Sequence, residues 1–150
     1  MRGLWNNDLF EFKGDYHNVP ESGLNPRPVQ QPIPIWFGGM SDAVADRTGR
    51  IGDGWMPIGD PNLLGPQFDI MYAAAEKAGR NPKDIGVEAF FGLTAIMEDT
   101  KITMDQCIEG AKTWQARGAT HYTFTALGLG YTDINDHLKV ATEFKERMQA

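Results

Sequence analysis

The sequence predicts an α/β fold built from four strand–helix units in strict alternation. Three observations carry this prediction. Short apolar runs of strand length recur at residues 33–37, 54–57, 85–97 and 120–127. Each is followed by a stretch with apolar residues at helical spacing, near 41–51, 66–78, 103–117 and 133–148. Gly52, Gly79 and Gly118 then stop the first three of these helices. Alternating strands and helices imply a parallel sheet with right-handed crossovers. Pattern alone leaves two architectures open, a small doubly wound sheet and one half of an eight-stranded barrel.

Residues 1–32 carry little periodicity. Trp5, Phe10, Phe12 and Tyr16 are separated by polar residues, and Pro20, Pro26, Pro28 and Pro32 punctuate an extended stretch. This reads as a proline-rich lead-in, a long ordered loop with room for a short hairpin. The regular part is residues 33–150. Its first strand, 33–37, is apolar on both faces, as a central parallel strand should be. Trp36 and Phe37 are adjacent, so one must face the sheet's interior side and the other the helices. Ser41 or Asp42 caps the first helix, which carries Ala43, Val44, Arg47 and Ile51 along one side. In the second helix, Pro66 suits the first turn, and Phe68, Met71, Tyr72 and Ala75 form its apolar face.

Asn81-Pro82 marks a turn before the third strand, where Val87, Ala89, Phe91, Leu93 and Ala95 alternate against Glu88, Phe90 and Thr94. Thr103 with Gln106 spells a capping box for the third helix, whose stripe is Met104, Cys107, Ile108, Ala111 and Trp114. After Gly128 and Gly130, Asp133 caps a last helix with Ile134, Leu138, Ala141, Phe144 and Met148 expected inward.

Bulk properties narrow the function classes. A chain of 150 residues is one domain by length, and 41% hydrophobic with 11% aromatic residues is ordinary for a packed globular protein. The formal net charge of −6, with no basic cluster, argues against nucleic acid and anionic membranes as partners. Cys107 is the single cysteine, so no intrachain disulfide can form. No apolar run approaches the roughly 20 residues of a membrane span, and the start lacks a charged-then-apolar signal pattern. A cytoplasmic location is the expectation.

The run from Ile33 through Ser41 holds the best candidate site. A strand ending in Gly38-Gly39-Met40-Ser41 presents bare backbone N–H groups at a helix N-terminus, where an anion can sit. Taken by itself, a Gly-Gly pair is more readily a tight strand-to-helix turn than a binding site. Asp53 reads as a strand-start structural residue, while Trp55 can line a pocket or simply pack. His17, His121 and His137 share no metal-ligand spacing. Glu88 reads as a polar residue of an inner layer and Cys107 as core. The Gly128/Gly130 turn reads as an ordinary strand-to-helix connection, with a second phosphate contact as the lesser alternative.

Five segments together resemble the luciferase-like monooxygenase family, flavin- and deazaflavin-dependent oxidoreductases built on a TIM (β/α)8 barrel. They are Leu4-Trp5 with Phe12-Lys13-Gly14, the stretch from Gly23 to Gln30, Pro34-Ile35-Trp36-Phe37-Gly38-Gly39-Met40-Ser41, Gly52-Asp53-Gly54-Trp55, and Gly118-Ala119-Thr120-His121-Tyr122. The resemblance covers the C-terminal half of that barrel, strands five to eight. It implies a (β/α)4 half-barrel over residues 33–150, without the N-terminal segment where the family places a histidine near the flavin ring. It implies FMN or deazaflavin (coenzyme F-420) as cofactor and a small organic molecule as substrate. Gly38, Gly39, Met40, Ser41 and Trp55 are then the cofactor-binding candidates. No residue is nominated as catalytic acid or base, and no metal is expected. The alternative is a catalytically inactive half-barrel acting as an assembly module, with a homodimer covering its open edges.

Overall fold

The computed structural model describes residues 1–93 and 101–149. It divides into two compact units, Met1–Ile35 and Trp36–Ala150.

The first unit holds helix α1 (Arg2–Asn6) and an antiparallel hairpin of β1 (Phe10–Lys13) and β2 (Asn18–Ser22). Phe12 pairs with Val19 and Lys13 with Asn18, and a bulge separates Phe10 from Phe12. The Gly14 N–H closes the turn on the His17 carbonyl at 2.8 Å. The hairpin occupies the room left for it in the lead-in, and the short helix α1 is an addition to the sequence reading.

The second unit contains β3 (Trp36–Gly38), α2 (Asp42–Ile51), β4 (Gly54–Met56), α3 (Gly65–Lys77), β5 (Gly86–Gly92), α4 (Met104–Ala116), β6 (His121–Thr125) and α5 (Ile134–Gln149). Its four strands form one sheet in the order β3-β4-β5-β6, parallel throughout. This order decides between the two architectures. A doubly wound sheet needs a point where strand order reverses. Here each strand adds beside the last in one direction, so right-handed crossovers put all the helices on one face. That is the winding of a (β/α) barrel.

Side-chain alternation matches this arrangement. Trp55, Val87 and Ala89 are buried with Ala45, Phe68, Met71, Ala75 and Trp114 in the main core. A second cluster joins Cys107, Ile108, Ala111 and Phe144, with Phe91, Tyr122 and Phe124 packed against it. Alternate strand positions face the other way. Trp36 lies where Cβ atoms on Gly54 or Gly86 would stand, and its indole meets His121 edge-on at 5.0 Å. Two glycines on neighbouring strands thus make room for one indole lying across them. Phe37 faces the helices, with the Arg47 guanidinium 6.0 Å from its ring centre.

Local signals form as expected. Ser41 caps α2, and Pro66 sits in the first turn of α3. Gly79 takes φ +72° just beyond α3. Thr103 and Gln106 complete the capping box of α4. Two strand boundaries and two helix faces differ; in α2 the buried positions are Ala45, Thr48 and Gly49, while Ala43, Arg47 and Ile51 are exposed. The first strand of the sheet is Trp36–Gly38, not 33–37, because Pro32 and Pro34 carry no N–H for a ladder. The third strand ends at Gly92, and most of its expected extension to 97 lies outside the described residues. In α5, Phe144 is buried, but Ile134 and Leu138 are 66% and 56% exposed rather than inward. The helix packs on β6 through its C-terminal half, where the Phe144 ring stacks on Phe124 at 4.6 Å.

Helices α2 and α3 pack closely because Gly49 lets them. A Cβ there would stand 2.8 Å from Ala74 Cβ, 3.0 Å from the Ala75 nitrogen, and closer still to the Met71 carbonyl oxygen. Arg80, just past α3, donates to the carbonyls of Thr48 (3.3 Å), Gly49 (2.7 Å) and Gly52 (2.5 Å). It supplies donors at the end of α2, where a helix leaves its last carbonyls without donor partners of their own.

Candidate functional site

Parallel strands deliver all their carboxyl ends to one side of the sheet, where the loops of such folds build their sites. At that end of β3, Gly38 pairs with Met56 of β4 and the chain turns into α2. Gly38, Gly39, Met40 and Ser41 are all exposed. Gly39 has φ +112°, and a Cβ on it would lie 3.4 Å from Val44 Cγ2, so the turn requires glycine both by backbone and by space. The Ser41 hydroxyl accepts from the Val44 N–H at 3.4 Å, and its carbonyl starts the helical ladder at Val44 and Ala45.

The first N–H groups of α2 have no acceptor inside the helix and carry the positive end of its dipole. The Asp42 carboxylate in the first turn accepts from Gln67 Nε2 at 2.9 Å and keeps its negative charge there. Met40 leans toward the loop after β4, its sulfur 3.8 Å from where a Cβ on Gly59 would stand.

Trp55 completes the turn from behind. It is fully buried, its ring meets Phe68 edge-on at 5.0 Å, and its Nε1–H donates to the Gly39 carbonyl at 2.7 Å. The five predicted residues are therefore brought together, four on the surface and Trp55 beneath them. Its contact with the turn is a hydrogen bond that spans 16 residues of sequence. No local signal announces that bond or the Gln67–Asp42 contact.

The remaining candidates sit apart. On the face of the sheet opposite the helices, Thr123 Oγ1 donates to Glu88 Oε1 at 2.5 Å. His121 shares a 2.8 Å hydrogen bond with Thr120, and His137 meets the Tyr131 ring at 5.4 Å. Among the described residues, no group of three His, Cys, Asp or Glu side chains is arranged to hold a metal. Gly128 and Gly130 adopt φ +81° and +73° after β6. Burial pushes the Cys107 thiol up to about 11 and raises the hydroxyls of Tyr72 and Tyr122, all away from the β3–α2 turn. A groove of about 500 Å3 runs along α4 to Arg147 and shares no residue with the turn.

The family model for luciferase-like monooxygenase matches residues 1–136, nearly the whole chain. The chain belongs to the luciferase-like monooxygenase family. It is 34% identical over 122 residues to an uncharacterised protein of Mycobacterium bovis, covering 80% of this chain and 37% of that one. It is 32% identical over 113 residues to the FMNH2-dependent dimethylsulfone monooxygenase of Pseudomonas putida, covering 74% and 31%. The chain thus spans about a third of the length of these luciferase-like relatives. An F420-dependent secondary alcohol dehydrogenase shares its fold with TM-score 0.76 at 17% identity, over 98% of this chain and 58% of the other. The coenzyme F420-dependent tetrahydromethanopterin reductase of Methanopyrus kandleri follows with 0.70 at 15%, over 93% and 58%. These are TIM-barrel enzymes, so the luciferase-like fold is present here as part of a barrel. Among the described residues no helix is long and apolar enough to cross a membrane.

Proposed function

We propose that this chain is the part of a flavin- or deazaflavin-dependent oxidoreductase that holds the cofactor's phosphate. One observation carries the reading. The exposed Gly38-Gly39-Met40-Ser41 turn lies at the carboxyl end of a parallel strand and at the N-terminus of α2, in a member of a family with FMNH2- and F420-dependent relatives. The turn suits a phosphate. Glycine at 38 and 39 lets oxygen atoms approach the backbone, and the start of α2 supplies N–H donors.

In this reading β3 to β6 correspond to barrel strands five to eight, with residues 1–32 as a lead-in and 33–150 as the half-barrel. The bound cofactor would supply hydride transfer or oxygen activation at its ring, acting on a small organic substrate. The chain's own residues bind and orient the phosphate end. The buried, free Cys107 suits a reducing compartment, in keeping with the cytoplasm.

Titration with FMN and with the deazaflavin, followed by cofactor fluorescence, tests this. Micromolar binding of one of them, weakened at least tenfold by Gly39→Val, is expected. Folded protein that binds neither refutes it.

A second reading is an inactive half-barrel that assembles through its open edges. Strands β3 and β6 each end the sheet without a partner strand among the described residues. Leu127, Ile134 and Leu138, just beyond the edge strand β6, are 73%, 66% and 56% exposed. Exposed strand edges and apolar surface favour association, and a homodimer would cover both. Light scattering that returns a monomer at micromolar concentration counts against it.

A further inference from the structure

We infer that Trp55 is a positioning residue for the Gly38–Ser41 turn, holding the Met40 N–H in the direction that receives the cofactor's phosphate. This rests on the phosphate-binding reading above and assigns the device that sets the turn's geometry.

A trans peptide fixes the carbonyl and the following N–H in opposite directions. The Gly39 carbonyl is aimed into the protein, because its partner is the Nε1–H of a fully buried indole at 2.7 Å. The N–H of Met40 belongs to the same peptide and must therefore point outward. Among the described residues no backbone acceptor takes that N–H, and Met40 is exposed. Gly39 at φ +112° is the hinge that would otherwise let this peptide flip. The indole cannot follow a flipped carbonyl, since it is wedged against Phe68 at 5.0 Å and Trp55 belongs to the main core. Loss of the bond would leave a buried donor unsatisfied, which biases the peptide strongly toward the observed orientation.

A purely structural tryptophan makes different predictions. Trp55→Phe keeps an aromatic ring in the core and removes only the donor and some volume. We compare FMN with riboflavin, which shares the ring and lacks the phosphate. Positioning predicts that Trp55→Phe weakens FMN about tenfold and leaves riboflavin within twofold. It also predicts that FMN slows amide exchange at the outward Met40 N–H in the wild type and not in the variant. Equal losses for FMN and riboflavin, or unchanged FMN affinity with unchanged FMN protection of Met40, overturn the inference.

Wild-type protein that binds neither FMN nor the deazaflavin refutes the phosphate reading and the inference's role for it. The exchange of the wild-type Trp55 indole N–H, the bonded donor, then separately decides whether Trp55 orders the turn. If Trp55→Phe does not fold, the indole N–H of wild-type Trp55 gives the answer. Slow exchange that slows further with FMN and not with riboflavin supports positioning, and exchange as fast as free tryptophan overturns it.

Discussion

Replacing Gly49 by alanine sets two effects of opposite sign against each other. Gly49 lies inside α2, where glycine costs about 0.5–1 kcal/mol relative to alanine through backbone entropy. Helix propensity alone therefore predicts that Gly49→Ala stabilises the protein. The packing predicts the reverse. Carbon atoms rest about 3.5–4.0 Å apart, whereas the new Cβ would start 2.8 Å from Ala74 Cβ and 3.0 Å from the Ala75 nitrogen. The nearest neighbour, the Met71 carbonyl oxygen, is backbone of α3 and cannot rotate away. The helices must part by about 1 Å, loosening the burial of Ala45, Met71 and Ala75, all at 0% exposure. Overpacking of this kind costs about 1–3 kcal/mol, and a clash with backbone belongs at the upper end. The net expectation is a loss of about 2 kcal/mol.

Gly110→Ala in α4 is the control. There a Cβ would meet only the Phe91 ring, at 3.4 Å, so propensity wins and the variant gains about 0.5–1 kcal/mol. Urea unfolding followed by circular dichroism measures both midpoints, with the slope expected to stay constant. A Gly49→Ala protein as stable as wild type would refute the claim that α2 sits against α3 through this glycine.

Further outcomes follow from named contacts. Arg80→Met removes the cation shared by the Thr48, Gly49 and Gly52 carbonyls. We expect a loss of about 3 kcal/mol in urea unfolding, with Arg80→Lys recovering only part because an ammonium lacks the guanidinium fork. Thr103→Ala breaks the capping box of α4 and should cost about 1 kcal/mol in the same assay. The Cys107 thiol, pushed up to about 11 by burial, should react with maleimide at pH 8 at least a hundredfold more slowly in native protein than in urea. The sign with pH also follows. Between its ordinary value of 9.0 and about 11 the unfolded chain loses this proton first, so Cys107 makes stability fall as pH rises through that window. Urea midpoints at pH 8 and pH 10, compared with those of Cys107→Ala, measure it.

The elements and their stops were legible because their signals are local. Ser41, Pro66, Gly79, Thr103 with Gln106, and Gly118 act within a turn of their own positions. The Gly38–Ser41 turn was legible for the same reason, since a strand ending in two glycines and a cap is a short-range pattern. The first strand began three residues later than its apolar run suggested. Proline at 32 and 34 outweighed hydrophobicity, a rule also present in the sequence. The start of α5 was misread because its apolar spacing cannot say whether anything arrives to cover it.

The sequence by itself determined the alternation of strands and helices, the caps, the family and the position of the candidate turn. It also determined that Trp36 and Phe37 face opposite ways, because strand geometry has a period of two. Only the tertiary structure decided which face each one takes, that strand order runs without reversal, and that Trp55 lies under the turn rather than in its mouth. These depend on contacts between residues far apart in the chain. Trp36 takes the face where Gly54 and Gly86 leave it room, and Trp55 takes the face where Phe68 and the Gly39 carbonyl satisfy its ring and its N–H. Such choices are set by the space and hydrogen-bonding partners that other strands supply, and no local spacing encodes them.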